Sequence, residues 1–339
     1  MKVLFHAYNT FCQTESGGVQ VRVRKIKSLL ESKGIQVDFF NPSETNLRDY
    51  DVLHVFSLQI ETLDLIHCAK SLGLRVVLSA IVNIDKGRSI RNSLLFSPIL
   101  RRLNISTVES QKAWLLSFCD YIIVETPAEG RFISKYYKVS DKKIKVIPNG
   151  ANKMERAGDE IYDLIGNRIP YALVVGRIDS NKNQLNLIKA FLQTDYDLVI
   201  IGGPYAVGES TYFDRCMKDV NNNPKIHYLG WLKPGSLELL SAYQNAQALF
   251  VPSFQETFGL VCVEGAIAGT NVCLSKTLPI LEFGVFNSDL TFNPSDLADI
   301  TTIINRAMTI PKDGKVQKRA ESVFCWDSIV GEHIKLYNS

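Results

Sequence analysis

Residues 248–264 read ALFVPSFQETFGLVCVE, and this stretch decides the fold of the chain. The short apolar run at 248–251 predicts a buried strand, and the small apolar residues that continue to Ala268 predict a helix. A strand, a glycine-containing loop and a helix in this order are typical of an open α/β sheet. Because ligands of such sheets bind beyond the carboxyl ends of the strands, we expect a ligand site at this loop.

Two carboxylates mark the same stretch. Glu256 lies in the loop, and Glu264 follows eight residues later inside the predicted helix. An ionised carboxylate only accepts hydrogen bonds, whereas a sugar offers many hydroxyl donors. The neighbours of Glu264 are apolar, so its carboxylate is expected to be buried and to need donors, from ribose hydroxyls or from an internal partner. The pattern predicts sugar recognition beside a nucleotide site.

The same alternation of strands and helices extends through the whole chain and predicts two Rossmann-like halves joined by a polar linker. The predicted strands of the first half are Val3–Ala7, Val37–Phe40, Val52–Phe56, Arg75–Ala80, Tyr121–Val124 and Lys145–Ile147. Those of the second half are Tyr171–Gly176, Asp197–Gly202, Ile226–Leu229, Ala248–Val251, Thr270–Leu274 and Leu290–Phe292. Helices are predicted between them, among others at Gln20–Lys33 and Ile60–Leu72, and a capping box at Thr126 and Glu129 begins another. The polar stretch from Asn149 to Ile169 is interpreted as the domain linker.

Composition indicates an ordinary globular protein, and a length of 339 residues, more than one hydrophobic core usually holds, indicates two domains. No apolar run approaches the roughly 18 residues of a membrane span, and the first strand follows Met1 too closely for a signal peptide. The seven cysteines contain no CxxC pair, which indicates reduced thiols and a cytoplasmic location. Residues 1–150 hold 21 Lys and Arg against 14 Asp and Glu, leaving 17 against 21 for the rest. The basic first half could meet nucleic acid, an anionic membrane or a phosphorylated acceptor, or only solvent.

Two glycine loops are candidate phosphate sites. Gly17 and Gly18 lie where the first strand passes into the first helix, and Gly176 ends the first strand of the second half. Arg177 follows Gly176 directly, and Lys182 lies on the same loop. A planar guanidinium and a compact ammonium suit a diphosphate, although plain turns and surface salt bridges would use the same residues.

Other chemistries find little support. The chain has no GxxxxGK[ST], GxGxxG, HExxH or GxSxG pattern, which counts against P-loop, dinucleotide, zinc-protease and serine-hydrolase sites. A nicotinamide-dependent oxidoreductase is therefore disfavoured, and no metal site is predicted. Among the histidines, His54 lies towards the carboxyl end of a predicted strand, and all five are interpreted as structural.

A basic and apolar segment runs from Lys86 to Arg102. It contains Arg88, Arg91 and Arg101 around the apolar triplet Leu94-Leu95-Phe96. Such a segment can lie on an anionic bilayer, and it can equally form a core helix with a charged rim. Its place in the basic half favours peripheral contact with the inner membrane face.

Taken together, these motifs resemble the retaining glycosyltransferases of the GT-B fold, similar to family 4. The resemblance covers nearly the whole chain, in the segments 17–20, 52–55, 146–150, 175–177, 182–184, 228–231, 252–253, 256–264 and 324–329. It implies an α/β fold of two Rossmann-like domains that face each other across a cleft. Residues 1–150 would form the acceptor domain and 151–324 the nucleotide-sugar donor domain. A C-terminal helix at about 325–339 would pack back on the first domain.

The resemblance also assigns roles. It places Arg177 and Lys182 on the donor diphosphate, Glu264 on the ribose and Glu256 on the transferred sugar, so that Arg177, Lys182 and Glu256 are the implied catalytic residues. Gly17, Gly18, Gly176 and the backbone amides of Phe258, Gly259 and Leu260 complete the implied donor site.

The implied reaction moves a hexose-type sugar from a nucleotide diphosphate sugar to an acceptor hydroxyl with retention, without metal or other cofactor. The acceptor would be a saccharide or a lipid-linked or protein-linked group in polysaccharide, glycolipid or other glycoconjugate synthesis, and no nucleic-acid partner is implied. One feature departs from the family. Its members usually carry a histidine after the strand equivalent to Val76–Ala80, and the segment Leu78–Asn83 has none. A non-catalytic nucleotide-sugar-binding partner or regulatory subunit is therefore the alternative.

Overall fold

The chain folds into two compact α/β units. A computed structural model describes residues 1–7, 18–82, 84, 87, 89–94, 106–204, 210–312 and 314–339. Unit 1 comprises Met1–Gly150 together with Trp326–Ser339, and unit 2 comprises Ala151–Cys325. Each unit contains one parallel sheet, so the predicted fold class of two Rossmann-like halves is confirmed.

The sheet of unit 1 has the strand order β2-β1-β3-β4-β5-β6. Its strands are β1 (Lys2–Ala7), β2 (Gln36–Phe39), β3 (Val52–Phe56), β4 (Arg75–Ser79), β5 (Tyr121–Val124) and β6 (Ile144–Val146). All five residues of β3 are buried, as expected for a central parallel strand covered on both faces. The observed strands match the predicted ones to within one residue at each end.

Helices cover both faces of this sheet. They are α1 (Gly18–Ser32), α2 (Leu63–Ser71), α3 (Val108–Phe118), α4 (Pro127–Tyr137) and, from the end of the chain, α12 (Trp326–Asn338). The predicted capping box is confirmed, because Thr126 and Glu129 exchange side-chain and backbone hydrogen bonds at the start of α4. The helix predicted at Ile60–Leu72 is wrong in its first turn, where Ile60–Thr62 forms a 3-10 turn before α2.

The sheet of unit 2 has the strand order β12-β11-β10-β7-β8-β9. Its strands are β7 (Tyr171–Val175), β8 (Asp197–Ile201), β9 (Ile226–Gly230), β10 (Ala248–Val251), β11 (Asn271–Ser275) and β12 (Thr291–Phe292). The chain continues from β7 to β8 on one side, whereas β10 pairs with the other side of β7. The loops that follow β7 and β10 therefore meet at the topological switch point, where open α/β sheets bind ligands.

The helices of unit 2 are α5 (Glu160–Ile165), α6 (Gln184–Phe191), α7 (Ser210–Asn221), α8 (Leu237–Asn245), α9 (Leu260–Ile267), α10 (Leu297–Thr309) and α11 (Gly314–Phe324). Further 3-10 turns occur at Leu47–Asp49, Asp141–Lys143, Pro279–Phe283 and Ser288–Leu290.

The prediction that Asn149–Ile169 is a linker is wrong for most of its length. Unit 2 begins at Ala151, and α5 buries Ile161 in the core of that unit. The helix ends at Gly166, which adopts a left-handed conformation with φ 76° that glycine allows without strain. Since α5 offers one fully buried residue in six, its sequence looked like a polar connection.

Candidate functional site

Glycines shape the carboxyl edge of β7 and β8. Gly176 (φ 140°) and Gly202 (φ 136°) follow these two strands directly. The Gly176 N–H donates to the Ile201 carbonyl at 2.9 Å, and a Cβ on Gly202 would lie 1.8 Å from the Gly176 carbonyl oxygen. A side chain is therefore excluded at Gly202, and the loop after β7 runs close against the loop after β8.

Asp179 organises the loop after β7. Its Oδ1 accepts the backbone N–H of Lys182 at 2.9 Å, and its Oδ2 lies 3.3 Å from Nη2 of Arg177. Asn183 ends the loop in a left-handed conformation (φ 61°) and donates its side-chain amide to the carbonyls of Pro252 and Pro294. Since Pro252 begins the loop after β10, the two loops are fastened together.

Lys182 and Glu256 meet between these two loops. The Lys182 ammonium lies 2.6 Å from Oε1 of Glu256, and the Ser253 hydroxyl donates to the same oxygen at 2.7 Å. The backbone of Asn181 accepts from Phe254 at 2.8 Å beside this pair. The structure thus brings together two residues that the sequence predicted to serve the diphosphate and the sugar.

The two cations of the site both have carboxylate partners. The Arg177 side chain is 43% exposed beside Asp179, and Lys182 and Glu256 are 23% and 13% exposed. The Arg177–Asp179 pair contributes only about 0–1 kcal/mol, because water already solvates the partly exposed guanidinium. A doubly charged diphosphate can therefore compete for Arg177 at modest cost, and it must displace or share the more buried Lys182.

Glu264 lies one turn into α9, which begins after Gly259 (φ 91°). A Cβ on Gly265 would lie 2.3 Å from Cδ2 of Leu249, so α9 packs closely against β10 and a larger residue would require the Leu249 side chain to move. The half-buried Glu264 carboxylate accepts the Tyr243 hydroxyl at 2.7 Å. Burial raises the pKa of Glu264, and the bond from Tyr243 partly opposes that rise.

The backbone amides of Phe258, Gly259 and Leu260 lie at the amino end of α9. The first amides of a helix have no acceptor within it and are available to a ligand oxygen. The Phe258 ring is buried against Phe283 and Phe324, which anchors this turn to the core of unit 2. The predicted amide donors thus belong to a firmly held turn.

The sequence offered little to identify four residues of this region. Ser253 and Asp179 bind the charged side chains, and Tyr243 binds Glu264 from a different helix. Trp231, which follows β9, is 58% exposed, and its Nε1 would lie 2.7 Å from a Cβ on Gly203. The dipeptide Pro252-Ser253 and the segment 228–231 belong to the family resemblance, which assigns no role to Ser253 or Trp231.

The predicted residues of unit 1 are described only in part. Gly18 is the first residue of α1, whereas Gly17, most of the segment from Lys86 to Arg102, and Asn83 lie outside the described residues. The position expected for His54 is wrong. It is the third of five residues in β3 and fully buried, with Nδ1 2.7 Å from the Tyr337 hydroxyl and Nε2 2.8 Å from the Ser79 hydroxyl. These contacts give His54 a structural role in unit 1.

Within the described ranges, no helix is long and apolar enough to cross a membrane, and no group of three or more His, Cys, Asp or Glu is placed to hold a metal ion. Of the six cysteines in those ranges, five are buried and Cys68 is exposed.

Comparison with known proteins shows a similarity to one family of glycosyltransferases. Residues 164–321 match the model for glycosyl transferases group 1. The D-inositol 3-phosphate glycosyltransferase of Corynebacterium diphtheriae is 27% identical over 184 residues, 49% of this chain and 43% of the relative. The O-antigen chain mannosyltransferase RfbU of Salmonella typhimurium is 26% identical over 197 residues, 57% of this chain and 52% of the relative. The matched part thus spans about half the length of these curated relatives.

Solved structures share the fold over the full chain. Alr3699/HepE from Anabaena, determined in complex with UDP, has a TM-score of 0.73 at 18% identity and covers 100% of both chains. Sucrose-phosphate synthase from Thermosynechococcus elongatus has a TM-score of 0.71 at 17% identity, covering 100% of this chain and 98% of its own. The fold is therefore that of the two-domain GT-B proteins. Residues 164–321 are similar to the glycosyl transferases group 1 family.

Proposed function

We propose that the chain is a retaining glycosyltransferase, similar to family 4, that moves a hexose-type sugar from a nucleotide diphosphate sugar to an acceptor hydroxyl. The observation that carries the proposal is the Lys182–Glu256 pair at the switch point of unit 2. A cation for phosphate and a carboxylate for sugar hydroxyls lie side by side there, as transfer from a sugar diphosphate requires.

The donor is proposed to lie along the carboxyl edge of the unit 2 sheet. Arg177 and Lys182 take the diphosphate, and Glu264 takes the ribose. Glu256 and the amides of residues 258–260 take the transferred sugar. The exposed Trp231 ring beyond Gly203 offers a surface for the base. HepE from Anabaena has been solved with UDP-glucose, and the Salmonella relative is named as a mannosyltransferase, which agrees with a hexose donor.

Charge develops on the departing diphosphate and on an oxocarbenium-like sugar during transfer. Arg177 and Lys182 stabilise the first charge electrostatically, as a metal ion does in other enzymes, so the proposal needs no metal. Glu256, held by Ser253, orients the sugar and faces the second charge. Following the family resemblance, the acceptor attacks from the side of the leaving group, and a departing phosphate oxygen takes its proton. No protein nucleophile is assigned.

The acceptor is proposed to be a saccharide or a lipid-linked or protein-linked group in the synthesis of polysaccharide, glycolipid or another glycoconjugate. The relatives named above include enzymes of inositol phosphate and O-antigen glycosylation, which agrees with this class. A cytoplasmic location, where nucleotide sugars are made, belongs to the same proposal.

A panel of nucleotide sugars tests the function. The protein is mixed with UDP-, GDP- and ADP-sugars with and without EDTA, and released nucleotide and the anomeric configuration of the product are measured. Release that EDTA does not affect, with retained configuration, supports the proposal. Binding without turnover on any acceptor would instead support a non-catalytic binding partner. Absence of both binding and release would contradict the donor site.

Peripheral membrane contact is proposed for the basic segment from Lys86 to Arg102. The helix that follows it, α3, leaves Val108 and Trp114 50% and 51% exposed, and exposed tryptophan favours the membrane interface. Flotation with vesicles of phosphatidylglycerol and phosphatidylcholine, compared with phosphatidylcholine alone, tests this contact. Binding to the anionic vesicles that Trp114→Ser weakens supports it, and equal recovery with both vesicle types contradicts it.

A further inference from the structure

Tyr243 is the strongest candidate for an additional residue of the donor site. It is 1% exposed on α8, and its hydroxyl reaches the Glu264 carboxylate on α9 at 2.7 Å. In the described part of the chain, this is the one hydrogen bond recorded for the carboxylate. A fully buried tyrosine usually pairs its hydroxyl, and here the partner is the carboxylate that the proposed function places on the ribose.

The backbone and the ring of Tyr243 are both held in place. Thr270, itself 3% exposed, donates its hydroxyl to the Tyr243 backbone carbonyl, and the ring packs in the core of unit 2 with Cys262 and Val263. The close approach of Gly265 to β10 fixes α9 in turn. Since both helices are fixed, the hydroxyl has a defined position relative to the carboxylate.

The hydrogen bond divides the two oxygens of Glu264 between two tasks. Oε2 accepts from Tyr243, and the remaining acceptor positions, those of Oε1 above all, stay for another donor. A half-buried carboxylate without a fixed donor would turn about its last torsion or take up a proton. Because Tyr243 holds Oε2, the Glu264 carboxylate cannot rotate freely, and Oε1 points in one fixed direction.

We propose that Tyr243 is a positioning residue for nucleotide recognition, orienting Glu264 so that its free oxygen accepts from the vicinal ribose hydroxyls of the donor. This inference rests on the proposed function, because it takes the ribose as the ligand of Glu264. It adds a residue from a second helix to the site and predicts that the Tyr243 hydroxyl contributes to the preference for ribose over sugars without those hydroxyls.

The test measures that preference. UDP, GDP and ADP are titrated calorimetrically, and the tightest is compared with its 2′,3′-dideoxy analogue in wild type and in Tyr243→Phe. The dissociation constant of the dideoxy analogue divided by that of the ribonucleotide measures the preference for ribose. This ratio is expected to fall by about two- to tenfold in Tyr243→Phe, since one bond that orients the carboxylate is lost. If the Tyr243 hydroxyl had only a structural role, its loss would weaken the binding of both ligands equally and leave this ratio unchanged.

A matched control is available in the same unit. Tyr171 is fully buried and donates its hydroxyl to the Ala242 carbonyl on α8, not to Glu264. Tyr171→Phe removes the same atom from a similar environment and is expected to keep the wild-type ratio. Should Tyr243→Phe fail to fold, Glu264→Asp takes its place, because a shorter side chain cannot hold both Tyr243 and the ribose. An unchanged ratio in Glu264→Asp would overturn the inference.

The outcomes separate this inference from the proposed function. One outcome would refute the positioning role alone. In it, wild type prefers the ribonucleotide, Glu264→Gln abolishes that preference and Tyr243→Phe retains it. The assignment of the ribose to Glu264 would then stand. If wild type binds no nucleoside diphosphate, or Glu264→Gln leaves the preference intact, the assignment of the ribose to Glu264 fails and the inference fails with it.

Discussion

The ammonium of Lys182 and the carboxylate of Glu256, 74 residues apart in sequence, form an ion pair of 2.6 Å at the switch point of unit 2. The pair joins the part of the site proposed for phosphate with the part proposed for sugar. A bound diphosphate would draw Lys182 away from Glu256 or share it, so the two halves of the site respond to each other.

Removal of the Lys182 ammonium should weaken diphosphate binding selectively. Lys182→Ala is expected to lower the affinity for a nucleoside diphosphate by about 10- to 100-fold and the affinity for the nucleoside about twofold at most, because a charge-assisted bond to phosphate is lost. Calorimetric titration of both ligands measures the difference. Lys189→Ala, an exposed lysine on α6, is the control, and equal losses for both ligands would refute the phosphate role.

Neutralising Glu256 should separate binding from transfer. Glu256→Gln is expected to slow transfer about 100-fold, since it removes a charge that faces the reacting sugar, while diphosphate affinity stays equal or rises because Lys182 loses its competing partner. Initial rates and dissociation constants are compared with those of Gln255→Ala in the same loop. A variant that binds poorly but turns over at the normal rate would contradict this division of roles.

A buried ion pair should stabilise unit 1. Arg22 and Glu125 are paired with side chains 4% and 9% exposed, and two further guanidinium nitrogens of Arg22 are buried without a hydrogen-bond partner. Glu125→Gln is expected to cost about 3–5 kcal/mol, since it leaves the arginine charge buried without compensation. Urea unfolding followed by circular dichroism measures the loss. Glu332→Gln, which breaks an exposed pair with Lys335 in the same unit, should cost about 0.5 kcal/mol or less.

His333 should make unit 1 less stable in acid. Burial, with Arg22 adding to the effect, lowers its pKa from 6.5 to about 4. The unfolded chain therefore binds more protons between these values, and the contribution of His333 to stability is lost as the pH falls from 6.5 towards 4. The loss between pH 7.5 and pH 5.5 is about 1 kcal/mol.

The comparison is made between wild type and His333→Gln, because Glu129 acts in the opposite direction. Burial and the neighbouring Glu125 raise the pKa of Glu129 to about 7, so its contribution to stability grows as the pH falls. Acidification should therefore destabilise wild type by about 1 kcal/mol more than the variant. Parallel curves for the two proteins would show that His333 does not titrate on unfolding, and His67→Gln, an exposed histidine, should follow wild type.

Local sequence patterns predict most of the fold and the main residues of the candidate site. The strand, loop and helix at 248–267 were predictable because apolar periodicity and a glycine at the turn are local signals. The contact between Lys182 and Glu256 was not, since it depends on the order of β7 and β10 in the sheet. Tyr243 gave no signal for the same reason. Its hydroxyl meets Glu264 through the packing of two helices, and a lone tyrosine in a helix is ordinary core.

Two errors have physical causes as well. The linker prediction fails at α5 because Ile161 alone among its residues is fully buried, and one buried residue gives no periodic pattern. The position predicted for His54 is wrong because an apolar run such as β3 does not reveal which of its residues is central. Its burial is tolerated because Ser79 and Tyr337 satisfy both ring nitrogens.

The path of the chain gives unit 1 an unusual dependence on order of synthesis. It leaves that unit at Gly150 and re-enters it at Trp326, so all of unit 2 is translated before α12 exists. Until then Gly150 lacks the Trp326 ring that packs where its side chain would be, and His54 lacks the Tyr337 hydroxyl. On the ribosome, the unit encoded first can therefore complete its core only after the whole of unit 2 has been synthesised.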